Sequence, residues 1–397
     1  MTDSRSANSA ETIARLKRWR IQSALPFWAE AGPDRAYGGF IEELDFTGRD
    51  AARPLKRTRV TCRQIYVFSH AALLGWEDGR DLIAHGAEYL ETKARLPDGG
   101  YARLLTREGK VHDPALDLYD NAFALFAFAA AWRATGDAPY RDLMTVTHDV
   151  ILSRLAHISG QGFYDAYPAP SLRRQNPHMH LTEAAIAAYD ATGDARYAET
   201  AGKLLELFRS HFFNADTGSL TEYFNDDMSP ADGEKGALVE PGHQFEWAWI
   251  LAAASRLPHV NAERDLDPFI GKLIDYSERF GMNPKTGAVV NTVRNDGAPI
   301  DKGSRSWTNT ERLKAAVARY ERLGADPHPV IEQSGGLLLE QYLAPQAGFP
   351  IPPGAWIDSF DENGNPTADA IPASIFYHLF LAIAELERIE SSLEATP

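Results

Sequence analysis

Six times along the chain a glycine precedes a short β-prone stretch: GGFIEELDF (38–46), GGYARLL (99–105), GFYDAYP (162–168), GSLTEYF (218–224), GAVVNTV (287–293) and GAWIDSF (354–360). Taking the glycine before the first apolar residue, the positions are 39, 100, 162, 218, 287 and 354, in steps of 56 to 69 residues. Each step holds about two helices of ordinary length. The segments between read as helices, with apolar residues recurring at three and four in 11–31, 58–76, 120–136, 181–193 and 312–324. A second echo, ATGDAPY (134–140) and ATGDARY (191–197), joins two helical stretches each time. A unit of two helices and a turn-strand cannot bury its own apolar faces, so such units must stack. An open solenoid satisfies this, and so does a closed ring of six hairpins. The expected fold class is all-α, an (α/α)6 barrel with short β-hairpins in the loops.

In such a ring the more apolar helices face inward: 58–76, 117–136, 176–193, 242–257, 303–322 and 371–388. No Ser/Gly/Pro-rich linker divides the 397 residues, so residues 1–397 are expected to form one domain. The polar residues near the starts of these helices are Arg59, Arg63 and Gln64; Tyr119, Asp120 and Asn121; Asn176, His178, His180 and Glu183; His243 and Glu246; Arg305, Trp307 and Glu311; and His378. His180 and Glu183 are three apart, and His243 and Glu246 repeat the spacing inside EPGHQFEWAWIL (240–251). Buried polar groups are costly unless paired or used. A carboxylate one turn from an imidazole fixes its tautomer and leaves the other nitrogen free to exchange protons. The competing reading makes Arg63, Glu183 and Glu311 partners in ion pairs between neighbouring helices.

The net charge of −15 argues against nucleic acid and anionic membranes as partners. A single cysteine, Cys62, allows no intramolecular disulfide and suits a reducing compartment. The first residues lack the apolar core of a secretory signal, and no run approaches 18 apolar residues. The expectation is a cytoplasmic protein. His178-x-His180 and Glu240-x-x-His243 offer metal-like spacings; a di-iron bundle needs two Glu-x-x-His units, and no His-Glu-x-x-His or cysteine cluster occurs. No metal and no cofactor are expected. Phosphate-binding glycine loops and Gly-x-Ser-x-Gly are absent. A glycoside hydrolase needs two carboxyl groups flanking a bond; Asp113, Asp117, Asp120 and Glu222 are available, but their spacing marks no pair. A non-enzymatic sugar binder would have no need of two acid/base histidines.

Six motifs occur in order: RTRVTCRQIYVFSHA (57–71), DLYDNAFALFA (117–127), NPHMHLTEA (176–184), EPGHQFEW (240–247), SRSWTNTERLKA (304–315) and SIFYHLF (374–380). Through them the chain resembles the N-acylglucosamine 2-epimerase superfamily, whose members are (α/α)6 barrels. Phe245 and Trp247 around Glu246 resemble its isomerase branch, with mannose isomerases and the sulfoquinovose isomerase. The resemblance implies acid/base roles for His243 and His378, and sugar-holding or polarising roles for Arg59, Asn176, His180, Glu246 and Trp307. Tyr119 falls in a pocket-lining motif; Glu183 and Glu311 join the substrate-binding set, less firmly matched, as is His178. The expected activity is an aldose–ketose isomerase interconverting D-mannose and D-fructose through a cis-enediol(ate), with no metal. The alternative is a sugar 2-epimerase, and behind it a hydrolase or a binding protein. In this scheme His243, oriented by Glu246, moves the C1–C2 proton, His378 assists ring opening, and Arg59 steadies the enediolate oxygen. The expected partner is a monosaccharide, and the expected assembly a monomer or homodimer. Arg173 and Arg174 either meet a phosphate or sulfonate or are merely exposed, and the acidic net charge leans toward a neutral sugar.

Overall fold

The computed structural model describes residues 2–258 and 265–394. Its principal helices are, in chain order, α1 (Thr2–Trp19), α2 (Thr58–Leu73), α3 (Asp81–Tyr89), α4 (Leu118–Thr135), α5 (Ala138–Val150), α6 (Gln175–Thr192), α7 (Ala195–Leu207), α8 (Pro241–Ala254), α9 (Asp267–Phe280), α10 (Ser306–Leu323) and α11 (Phe376–Glu394). A broken helical segment fills 328–342. Helices α2, α4, α6, α8, α10 and α11 pack side by side in that order, and α11 returns to α2. The units therefore close into a ring, an (α/α)6 barrel, rather than an open solenoid. The other helices pack outside it.

Composition explains the layering. Helix α4 is apolar almost all round, and Leu118, Asp120 to Ala131 are all buried. A helix apolar on every side belongs in an interior. Outer α9 buries only Ile270, Leu273, Ile274, Tyr276 and Ser277, one stripe at helical spacing. No helix among the described residues is long and apolar enough to cross a membrane.

The glycine repeat corresponds to a hairpin that turns each outer helix back toward the ring. Equivalent bridges join Pro33 to Phe40, Arg95 to Tyr101, Ala156 to Phe163 and Met282 to Val289, and the strand pair at Phe213–Asn214 and Ser219–Leu220 does the same. The sixth unit departs from the pattern, bridging Gln346 to Phe349. Gly162 shows why the residue type is needed: its φ is +70°, and a Cβ there would meet Leu207 at 2.6 Å and His178 Nε2 at 2.9 Å.

At this same end, where Tyr101 N–H, Phe163 N–H and Val289 N–H reach Asn121, His178 and Asn309 in the first turns of inner helices, each inner helix starts at or just after a short strand: Leu55–Arg57, Val111–Asp117, Arg173–Arg174, Leu238–Val239, Ser304–Arg305 and Ile371–Pro372. These strands pair antiparallel with loop strands, as in Leu55 to Thr106, Leu116 to Tyr167 and Ser304 to Phe360. The pairing pins six helix N-termini around one mouth, and the candidate residues lie in the first turns below it.

Candidate active site

A cavity of about 280 Å³ opens at this mouth. Arg59, Tyr119, Asn176, His180, His243, Glu246, Trp307 and His378, all expected from the sequence, line it. Arg57, Arg63, Arg174, Glu240, Arg305, Ser374 and Ile375 complete the wall. Glu183 and Glu311 do not line it. They sit behind histidines, Glu183 at His180 and Glu311 at His378.

Three histidines share one arrangement. His180 Nδ1 lies 3.2 Å from Glu183 Oε2, as the spacing predicts. His378 Nδ1 lies 2.8 Å from Glu311 Oε1, across from α11 to α10. His243 Nδ1 lies 3.0 Å from Glu222 Oε2, with Glu240 at 3.7 Å. In each pair the carboxylate takes Nδ1 and leaves Nε2 for chemistry. The expected pairing of His243 with Glu246 is not the one formed. His243 turns back toward the helix start, where Glu222 arrives from between the strands Ser219–Leu220 and Tyr223–Phe224; Glu222 also accepts from Gln175 Nε2 at 2.8 Å. Glu222 was visible in the sequence only as an unassigned carboxyl of GSLTEYF.

The histidines differ in proton affinity. Burial pushes His243 down, but the charges of Glu240 and Glu222 and the Glu222 hydrogen bond outweigh it and raise the imidazole to about 10. His378 is held well below 6.5, first by burial and then by the positive charges of Arg63 and Lys314. The surroundings thus favour the charged form of His243 and the neutral form of His378. Trp307 stands between them, its ring centroid 5.3 Å from His243 and 5.6 Å from His378.

Two arginines form the facing wall. Arg59 donates its backbone N–H to Asp120 Oδ1 at 2.8 Å and Nη1 to Oδ2 at 3.2 Å. Burial raises Asp120 to about 7, with the Arg59 charge opposing. Arg63 donates to Ser374 O at 3.1 Å and to Tyr119 Oη at 2.8 Å. At the mouth Arg57, Arg174 and Arg305 pair with Glu42, Asp165 and Asp358. Two lining acceptors, Asn176 Oδ1 and Glu246 Oε1, are buried without a partner among the described residues. Such acceptors suit ligand hydroxyls. His178, by contrast, is structural: Nε2 accepts from Phe163 N–H at 3.0 Å and Nδ1 donates to Arg174 O at 2.8 Å.

Three acid–histidine groups bring possible ligand atoms within 4.8 Å of one another: His180, Glu183 and Glu246; Glu222, Glu240 and His243; Glu246, Glu311 and His378. In all three the histidine Nδ1 is already engaged with a carboxylate, and Lys314 Nζ lies 2.7 Å from Glu311 Oε2.

Residues 39–382 match the N-acylglucosamine 2-epimerase (GlcNAc 2-epimerase) family model. The chain is 35% identical over 384 residues to the mannose-6-phosphate isomerase of Rhizobium meliloti (strain 1021), covering 94% of this chain and 96% of that protein. It is 28% identical over 340 residues to the D-mannose isomerase of Thermobifida fusca, covering 77% and 81%. Its fold superposes on the cellobiose 2-epimerase from Spirochaeta thermophila DSM 6192 with a TM-score of 0.84 at 22% identity, covering 97% and 98%. The chain belongs to the N-acylglucosamine 2-epimerase family and is an enzyme of the sugar isomerase/epimerase type.

Proposed function

We propose that residues 1–397 act as one catalytic unit, an aldose–ketose isomerase that interconverts D-mannose and D-fructose by histidine acid/base catalysis without a metal. The observation that carries this reading is two histidines, His243 and His378, each held at Nδ1 by a carboxylate and flanking one indole, in surroundings that favour charge on the first and neutrality on the second. An isomerisation needs an acid and a base at adjacent carbons at the same pH.

On this reading the roles are the reverse of those expected from the sequence. His378 Nε2 takes the proton from C2 of the open-chain aldose while His243 donates its Nε2–H to O1. The product is a cis-enediol, with His378 now charged and His243 neutral. His378 returns the proton to C1 and His243 removes the one on O2, giving the ketose and restoring both residues. Arg59, on the facing wall, steadies negative charge on the enediol oxygens. Return of the proton to the opposite face of C2 would make the chain an epimerase, and only product analysis separates the two. A cavity of about 280 Å³ lies at the small end for ligand pockets, which suits one hexose ring.

The sugar is proposed to be neutral, because Arg57, Arg174 and Arg305 each already hold a carboxylate. The similarity to a mannose-6-phosphate isomerase favours the phosphorylated sugar as a second reading. Chelator-treated protein incubated in D2O with mannose, and separately with mannose 6-phosphate, tests both by NMR. Fructose with deuterium at C1 or C2 is the expected product. Glucose alone moves the reading to a 2-epimerase, turnover of the phosphate alone moves the substrate class, and no hydrogen exchange with either removes the isomerase reading.

A further inference from the structure

Beneath His378 lies a lysine that no step above uses. Lys314 sits on α10, fully buried, one turn after Glu311, which is also fully buried. Its Nζ is 2.7 Å from Glu311 Oε2 and 4.1 Å from the centroid of the Trp249 ring. The other oxygen of the same carboxylate holds His378 Nδ1 at 2.8 Å. Lysine, carboxylate and imidazole thus form one line running from the core to the cavity.

Lysine is among the least often fully buried residues, and an ammonium in an apolar wall is costly. Here it has a task that packing does not require. Glu311, Glu246 and Glu183 converge on this part of the barrel, with Glu385 further along α11. Arg63 from α2, His180 from α6, Arg305 from the strand before α10, and Tyr377 beside His378 are the remaining titratable or charged neighbours. Burial pushes the Glu311 carboxyl well up and the charges of Glu246 and Glu183 push the same way; Lys314, the nearest opposing charge, reduces the rise without cancelling it, so the 2.7 Å contact is what holds the carboxylate ionised. Lys314 itself is penalised by burial, yet the three carboxylates together raise its affinity for its proton, so it stays an ammonium.

The ionisation of Glu311 decides which nitrogen of His378 carries the hydrogen. An ionised carboxylate only accepts, so His378 must place its hydrogen on Nδ1, and Nε2 faces the cavity as a base. A protonated Glu311 would donate its O–H to Nδ1. The hydrogen of the neutral ring would then sit on Nε2, where it blocks proton abstraction. We propose that Lys314 is a positioning residue that fixes the charge of Glu311 and, through it, the tautomer of His378. The catalytic consequence rests on His378 being the base of the proposed isomerisation; the tautomer itself does not.

The test is nitrogen-15 NMR of histidine-labelled protein, with the His378 signals identified from their loss in His378→Gln. Near pH 7.5 the unmodified protein is expected to show His378 with its hydrogen on Nδ1. Lys314→Met is expected to move it to Nε2, and raising the pH to restore Nδ1 as Glu311 ionises. Lys314→Gln removes the charge while keeping a donor for Glu311, and serves if the methionine variant does not fold. Hydrogen on Nε2 in the unmodified protein overturns the proposal without any variant, and so does a folded Lys314→Met or Lys314→Gln whose His378 stays on Nδ1. In kinetics, loss of the base tautomer is expected to lower kcat roughly 10²- to 10⁴-fold with little change in KM, recovering toward alkaline pH. In a Glu311→Gln background Lys314→Met should add little further loss, because both act through one residue. Full additivity there also overturns it. If no sugar is turned over, the isomerase reading fails while the tautomer result still decides the role of Lys314.

Discussion

Gly242 and Trp307 are in direct apposition: a Cβ at position 242 would lie 2.6 Å from the indole Cη2. The neighbour is a rigid ring, not the end of a flexible chain, and Thr308 Cγ2 at 2.9 Å blocks the other way out. Gly242 is the second residue of α8, one before His243, so the absent side chain sets how closely the indole approaches the imidazole.

Gly242→Ala should therefore displace Trp307 from between the two histidines. Overpacking of this kind costs about 1–3 kcal/mol, and a shift near 1 Å at a reacting centre costs on the order of 10²-fold in rate. Thermal denaturation together with kcat/KM for mannose checks this; unchanged values for both would mean that the ring has room to move.

Glu222→Gln should alter the pH response of His243. In the unmodified protein this imidazole holds its proton to about 10, against about 6.5 in the unfolded chain. Its contribution to stability is then fully present below about pH 6.5 and lost as pH rises through about 10. Catalysis that needs the charged form should fall on the same alkaline side. With the Glu222 charge removed and Glu240 remaining, both alkaline limbs should move to lower pH. A rate profile and a series of melting temperatures between pH 6 and 10 measure the shift.

Arg59→Ala should reduce turnover more than binding. Its guanidinium is held by Asp120 on the cavity wall, where negative charge on the enediol oxygens would form. Losing one donor of an oxyanion-stabilising set costs about 10²- to 10³-fold in kcat. A KM that rises while kcat stays unchanged would instead assign Arg59 to binding alone.

His178→Ala should behave as a structural lesion. The ring joins Phe163 N–H to Arg174 O, is fully buried, and is held down to about 3 by burial, so it stays neutral. Losing both bonds and leaving buried backbone groups unsatisfied should cost about 2–4 kcal/mol. Denaturant unfolding measures this, and at a temperature where the variant is folded its kcat should remain closer to the unmodified value than that of His243→Ala.

The ring was legible because a glycine marks each repeat unit and three of its inner helices end at glycines. Gly136, Gly193 and Gly324, with φ between 67° and 73°, close α4, α6 and α10 within a residue or two of the expected ends. His180 and Glu183 were legible as a pair because both partners lie on one helix face. The identical spacing of His243 and Glu246 gave the wrong partner, because spacing does not say which way a ring turns, and the competing carboxylate, Glu222, arrives from a separate turn. The His378–Glu311 bond joins α11 to α10, beyond the reach of a local pattern. Lys314 escaped notice because RLKAAVARYERLG reads as an ordinary charged helix until its surroundings are known.

The return of α11 to α2 also orders events in time. His378 arrives on the last of the six inner helices, and Arg63 reaches its Ser374 carbonyl partner only when that helix docks. A growing chain can therefore assemble five-sixths of the inner wall without a working pocket. Competence comes at one late step, the seating of the final helix, so premature release from synthesis would yield an inert arc rather than a partly active enzyme.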